Sequence, residues 1–419
     1  MKLPYTKSKS FAASLARAVV AFALAGIGAA AFAATFDLSP EQPGRVRGAR
    51  DDAVIRALPA SFKFVEPDTL TVGIAPSQPP ISAYATDART VVGFDADLAQ
   101  LLADSLGRKL KIVALAQRAE ALGYRRFWIA EHHGAPGLAS SAPEIVVSHV
   151  LAHTSSIRVG SGGVMLQHYS PFKVAETFKL LASLAPGRVD LGVGKAPGGL
   201  PLTTRALQSL HDKPRRPAFA EQLAELDAFL NWGVAEDHPL AGALALPVPP
   251  EAPERVLLGG SPESAALAAR LGWQFCYAGH FNGDEANVER SLDAYRSTTG
   301  RAPLLALYAV AAPTKGDAER LIGALRIFKL KLASGQSVNL GSAQAAAEFA
   351  RQSGATDYRI DELRPHVIAG APDDVHRELD ALSRRYGLAE FVVDSPVTHY
   401  PARLASVELL APQRQPAGT

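Results

Sequence analysis

A chain of 419 residues can bury a large core and hold more than one domain. Its formal net charge of +2 lacks the basic excess by which proteins hold nucleic acid or an anionic membrane surface. The single cysteine, Cys276, excludes a structural disulfide within the chain and reads, inside the apolar run QFCYAG, as a small core residue.

At the N-terminus Lys2, Lys7, Lys9 and Arg17 precede AVVAFALAGIGAAAFA, which ends in Ala31-Phe32-Ala33. A charged start, an apolar stretch and an A-x-A pattern predict a signal peptide over 1–33, cleaved near Ala33–Ala34, and export to the periplasm. The stretch is too short and too rich in Ala and Gly for a membrane anchor, and no other segment is long and apolar enough to span a bilayer. Residues 34–68 read as a polar extension or linker containing RVRGARDD, with one short helix. TLTVGIA (69–75) predicts a buried strand, followed by a loop or loose hairpin. A helix is expected over 93–107, where Phe94, Leu98, Leu101, Leu102 and Leu106 fall at helical spacing, and KLKIV (109–113) predicts the next strand.

From Ala114 the texture changes. ALAQRAEALGY predicts a helix ending at Gly123, and FWIAE a strand that runs into Glu131, His132 and His133. Three readings of this EHH compete. A strand surfacing into polar residues is the plainest. A metal site is disfavoured, because neighbouring side chains on a strand face opposite ways and no Cys cluster assists. The third is a catalytic histidine at the C-terminal mouth of a parallel barrel.

Further strands are predicted over 157–166, 188–194, 255–260, 274–279, 304–310 and 390–395. Amphipathic helices separate them, with a helical stretch after residue 310. Seven nearly all-apolar strands alternating with helices imply a parallel sheet covered on both faces, one strand short of a closed (β/α)8 barrel. In SGGVML, Gly162 and Gly163 mark a bulge or a tight backbone contact. GGSPES opens a helix directly after a strand. That is an ordinary N-cap or an anion site built from Gly260, Ser261 and Ser264. LGVGKAPGG fails as a dinucleotide fingerprint, since Pro197 and the missing third glycine spoil it.

Two resemblances follow. The signal peptide, LTVGIA-x-x-x-PP and the Gly-Phe-Asp-x-Asp-Leu helix start resemble periplasmic amino-acid-binding (solute-binding) proteins, over about residues 60–113. Both lobes of that family are otherwise absent. RRFWIAEHHG, IRVGSGGVMLQHYSPFKVAETF, PGRVDLGVGKAPGG, LLGGSPESAALAARLG and EFVVDSPVTHYPARLASVELLA resemble, in family order, the luciferase-like FMN-dependent monooxygenases over about 114–411.

The second resemblance implies a TIM barrel holding reduced FMN at its mouth, supplied by a flavin reductase, and oxidation of a small organic substrate with O2. His132, the first after the Glu, matches the catalytic histidine, with Glu131 and His133 as supporting neighbours. In the family the SGGVML strand carries a non-proline cis peptide behind the flavin ring. That places the bond at Gly163-Val164, between Gly162 and Met165. Gly194 and Lys195 stand at the next strand end, Lys195 where relatives more often have Arg. The phosphate would sit at Gly260, Ser261 and Ser264.

The expected organisation is a signal peptide (1–33), an extension (34–68), a solute-binding-protein-like fragment (69–113), a luciferase-like domain (114–411) and a tail (412–419). The fold class is α/β, a TIM-type barrel lacking its native first strand. Expected partners are a small-molecule substrate and O2, with a homodimer as the assembly, no nucleic acid and no metal. Leu70, Val72 and Ile74 are expected to fill the gap between EFVVDS and FWIAE, with KLKIV as the rival filler. Alternatives remain: an exported solute-binding fragment, or a fusion product with barrel form and little activity.

Overall fold

A computed structural model of the chain describes residues 115–412 apart from 135–139, 212–216, 232, 280–283, 324 and 398, together with a few residues between 42 and 56 and four short strands before 113. The expected signal peptide, the helix over 93–107 and the tail beyond 412 lie outside the described residues.

The four short strands are β1 (Thr69–Val72), β2 (Ala83–Tyr84), β3 (Val91–Val92) and β4 (Lys109–Ile112). β1 pairs in parallel with β4, from Thr69↔Lys109 to Val72↔Ile112, in a two-stranded sheet of its own, and β2 pairs with β3. This corrects the expectation that Leu70 and Val72 fill the barrel gap; Ile74 lies outside the described residues. KLKIV does not fill it either. The physical reason is proximity along the chain: a parallel partner one crossover away satisfies the backbone groups of β1.

Helix α1 (Leu115–Ala121) leads into β5 (Arg126–Ile129), α2 (Pro143–Ala152), β6 (Arg158–Met165), α3 (Pro171–Leu184) and β7 (Val189–Gly194). Then come α4 (Pro201–Leu207), α5 (Phe219–Leu230), β8 (Glu254–Gly259), α6 (Pro262–Arg270), β9 (Gln274–Ala278), α7 (Glu285–Thr299) and β10 (Leu304–Ala311). All seven barrel strands foreseen in the sequence form, the last being Glu390–Asp394. They pair in parallel in chain order.

The stretch after β10 is not simply helical. It contains α8 (Lys315–Ile322), β11 (Ile327–Leu332), β12 (Ser337–Leu340), α9 (Ala343–Ser353), β13 (Tyr358–Leu363) and β14 (Val367–Gly370). β11 lies between β12 and β13 in an antiparallel sheet. Its sequence IFKLKL alternates, and Phe328, Leu330 and Leu332 turn one face onto Phe349 and Ala350 of α9. β14 pairs with the upper half of β10 (Tyr308↔Val367), before α10 (Pro372–Tyr386), β15 (Glu390–Asp394) and α11 (Tyr400–Leu409) complete the chain.

Period-two alternation divides the core in two. Phe127, Ile129, Leu191, Val193, Leu257, Phe275, Tyr277, Leu305 and Phe391 pack outward with the helices, against Phe178, Leu223, Phe229 and Trp273. Each such large side chain contributes roughly 1.5–3 kcal/mol by leaving water. Trp128, Val256, Leu258, Cys276, Leu304, Ala306 and Val392 form a separate inner cluster that fills the lumen.

Below that cluster, at the N-terminal ends of the strands, lies a charged layer. The fully buried Asp190 accepts from Arg126 Nη1 at 2.7 Å, Trp128 Nε1 at 2.8 Å and Arg158 Nε at 2.8 Å. Arg126 also reaches Glu254 of β8 at 2.6 Å and Glu390 of β15 at 2.9 Å. Among the described residues no strand joins β5 to β15. The Arg126–Glu390 pair instead ties these two sheet edges by side chains.

Candidate active site

Proximity of β6 and β7 builds the back wall of the barrel mouth. A Cβ on Gly160 would lie 2.2 Å from Asp190 O, and one on Gly192 2.1 Å from Ser161 O, so two bare backbones run side by side. Ser161 Oγ donates to Gly192 O at 2.8 Å and stitches them together. Pairing slips between Ser161 and Val164, and within that slip the Gly162–Gly163 peptide is cis. The bond therefore falls one residue before the expected Gly163-Val164. Both its residues lack a Cβ, whereas Val164 is 3% exposed and packs its branched side chain in the outer core. A Cβ on Gly162 would stand 3.0 Å from Trp128 Cβ, while one on Gly194 would meet nothing nearer than Met165 Sδ at 3.9 Å. The mouth thus has a flat, side-chain-free wall with open space at its upper edge.

His132 follows β5 at this mouth. Burial lowers its pKa below the usual 6.5, and His133 adds to that, while the Asp394 and Glu131 carboxylates oppose it. The imidazole is therefore neutral near pH 7, offering one N–H and one lone pair. Asp394 ends β15 and is the register partner of Tyr308 on β10. Burial, with the Asp394 charge, pushes the Tyr308 phenol up to about 12. Asp394 and Tyr308 were not singled out in the sequence. Their signal was the alternation itself, since Val392 and Ala306 face the lumen and the residues two further on share that face.

Glu131 and His133 belong to a buried network with the end of β6, to which His132 makes no hydrogen bond among those described. Glu131 is fully buried; its Oε1 accepts from His133 Nε2 at 2.7 Å and Tyr169 OH at 3.0 Å, and its Oε2 from Met165 N–H at 3.0 Å. Burial and the Glu131 charge raise the Tyr169 pKa, so the phenol remains a donor. Glu131 thereby fixes the end of β6, and EHH divides into one residue at the mouth and two that brace it.

Lys195 is exposed just past β7. At the start of α6, Ser261 Oγ accepts from Ser264 N–H at 3.3 Å and the two hydroxyls are 3.4 Å apart, an N-cap. A Cβ on Gly260 would meet nothing within 4 Å, so the space before the cap is open. Asn287 Nδ2 holds Gly260 O at 2.8 Å and Tyr277 OH at 2.7 Å. The Glu263 carboxyl, lowered by its hydrogen bond from Ser261, stands exposed in the same turn.

A His-x3-His spacing, expected to be absent, does occur between His149 of α2 and His153 at its C-cap. The rings of His149 and His153 lie 4.3 Å apart. Among the described residues, no group of three or more His, Cys, Asp or Glu stands where it can hold a metal ion.

A parallel α/β barrel with a glycine wall and a neutral histidine at its C-terminal mouth defines a class of enzyme scaffold. Comparison with known proteins identifies the family. The model for luciferase-like monooxygenases matches residues 99–390, and that for bacterial extracellular solute-binding proteins, family 3, matches residues 70–124.

N-acetyl-S-alkylcysteine monooxygenase of Bacillus subtilis (strain 168) is 42% identical over 313 residues, covering 74% of this chain and 92% of the relative. A luciferase-like monooxygenase of Escherichia coli (strain K12) is 34% identical over 303 residues, 70% of this chain and 88% of its own length. The crystal structure of apo-MsnO8 superposes with a TM-score of 0.55 at 32% identity, covering 71% of this chain and 88% of that one. The chain belongs to the luciferase-like monooxygenase family, and its barrel is the catalytic scaffold of that family.

Proposed function

We propose that the barrel is a flavin-dependent monooxygenase that uses reduced FMN and O2 on a small organic substrate. The observation that carries this reading is the close backbone approach of β6 and β7 at Gly163 and Gly192, with room at Gly194 and Gly260 that a Cβ would begin to fill, and His132 just past the neighbouring strand β5. A planar ring fits a flat backbone wall, and an anion fits the N–H groups at the start of α6.

When bound, the flavin supplies the reaction of reduced ring with oxygen, and the protein supplies binding, orientation and shielding. Gly162, Gly163, Val164 and Met165 would back the ring. Gly260, Ser261 and Ser264 would hold the phosphate, with Lys195 at the exposed edge. His132 holds or moves a proton at its free imidazole nitrogen. The Asp394 charge reaches it, Tyr308 stands beside Asp394, and Glu131 and His133 keep the end of β6 in place. A flavin reductase as supplier, a homodimer as assembly and export by the 1–33 segment belong to the same proposal.

The substrate class to test first comes from the relative at 42% identity, which is named for N-acetyl-S-alkylcysteines. With reduced FMN and isotopically labelled O2, turnover of an N-acetyl-S-alkylcysteine should place one labelled oxygen atom in the product. Unlabelled product, or flavin oxidation with no product across a panel of small thioethers and aldehydes, would remove the monooxygenase reading. One observation favours a second reading, a family barrel with weakened flavin binding: β1 pairs with β4 and leaves β5 and β15 unjoined among the described residues.

A further inference from the structure

Three consecutive carbonyls in the loop after β7 are each taken by a donor from the end of β5 or β6. Gln167 Nε2 donates to Ala196 O, His168 Nε2 to Pro197 O at 2.9 Å, and the His133 backbone N–H to Gly198 O at 2.8 Å. The loop is built for this close approach. Gly198 has φ +66°, and a Cβ on Gly199 would lie 2.7 Å from His133 O.

His168 is the central contact and is 3% exposed. A carbonyl only accepts, so Nε2 carries the ring proton and Nδ1 of the neutral ring is an acceptor. Gln208, just past α4, fills that acceptor: its Nε2 donates to His168 Nδ1 at 2.8 Å and to Gln167 O at 3.3 Å. The His168 ring stands edge-on to His133 at 5.9 Å, so the clamp abuts the Glu131 brace without entering the mouth.

We infer that His168, oriented by Gln208, is a positioning residue that holds the Lys195–Gly199 loop and sets where the Lys195 ammonium stands for the bound flavin. The flavin half of this inference rests on the function proposed above. The holding of the loop does not. Losing a buried donor takes the His168 bond from Pro197 O and the Nδ1 acceptor from Gln208, so the loop loses its middle anchor while the barrel core is untouched.

Trypsin tests the loop directly, because Lys195 is exposed and is followed by Ala196. In flavin-free protein, His168→Ala should raise cleavage at Lys195–Ala196 about tenfold, while cleavage after the exposed Lys315 stays at the parental rate. His168→Gln, whose amide can donate to Pro197 O, should recover part of the protection. With FMN, His168→Ala should weaken binding about tenfold and change turnover at saturating flavin less than threefold. Cleavage at Lys195 within twofold of the parent, or an equal rise at Lys195 and Lys315, overturns the positioning role. A freed loop with parental FMN affinity overturns its link to the cofactor. A parent that binds no FMN would remove the flavin reading alone, with the Lys195 cleavage still deciding the loop.

Discussion

Alanine in place of His132 is expected to lower flavin-dependent oxygenation by about 10²–10⁴-fold, the usual contribution of a positioned proton-transfer group. The fold should persist, since His132 lies at the mouth and takes no part in the buried Glu131 network. The pH profile gives a second readout. Burial lowers the His132 pKa below 6.5, so the neutral ring survives as pH falls through 6.5. The acid limb of turnover should lie below that value and disappear in the variant. Steady-state kinetics of parent and variant between pH 5 and 8 would check both. Parental turnover in His132→Ala, or an acid limb that the substitution leaves unchanged, would refute the assignment.

The second large effect is on stability. Asp190 is the fully buried common acceptor of Arg126, Trp128 and Arg158, in a layer that opens to solvent at Arg158 and Glu254. Asp190→Ala removes the charge between two guanidinium groups and leaves the Trp128 N–H unpaired. Breaking a buried pair in this way costs about 3–5 kcal/mol, against total stabilities of roughly 5–15 kcal/mol for whole proteins. Denaturant titration should show the loss as a lower midpoint. A change under about 1 kcal/mol would mean that solvent or the neighbouring Glu254 and Glu390 carboxylates compensate the guanidinium charges, and that Asp190 does not anchor this layer. Asp190→Asn, which keeps the shape and one acceptor oxygen but turns an NH2 donor toward the remaining donors, should recover only part of the loss.

The seven barrel strands and the helices between them were legible because each strand is short, apolar and bounded by helix caps or glycines. Gly300 and Gly387 end their helices in the left-handed conformation. The antiparallel sheet of β11, β12 and β13 was equally legible in principle. IFKLKL alternates with period two, and Gly335 with φ +86° makes the turn to β12. It was overlooked because helices flank it on both sides.

Pairing of β1 was not legible. Apolar texture says that a strand wants burial, but it does not say which edge it meets, and a partner within its own fragment competes better than a remote gap.

At the site, the sequence singled out His132, just past β5, and the glycines of β6, the strand that pairs with β5. It could not divide EHH into a residue that faces the cavity and two that support it, because that depends on where the strand stops alternating. Nor could it find Asp394, Tyr308 or His168, whose partners lie far away along the chain and come together only when the strands are in register.

The central claim is that this barrel holds reduced FMN against the glycine wall with its phosphate at the start of α6. Equilibrium titration of the purified chain with reduced FMN, alongside the Ser261→Ala/Ser264→Ala double variant, tests it most directly. Saturable binding of one flavin per chain is expected, weaker than in an intact relative measured side by side, because among the described residues no strand joins β5 to β15. Each lost hydroxyl contact to the phosphate should cost ~1.5–3 kcal/mol, so the double variant should bind at least tenfold more weakly. Absence of saturable binding at ~1 mM FMN, far above the affinity of a specific site, or equal affinity of parent and double variant, would contradict the account.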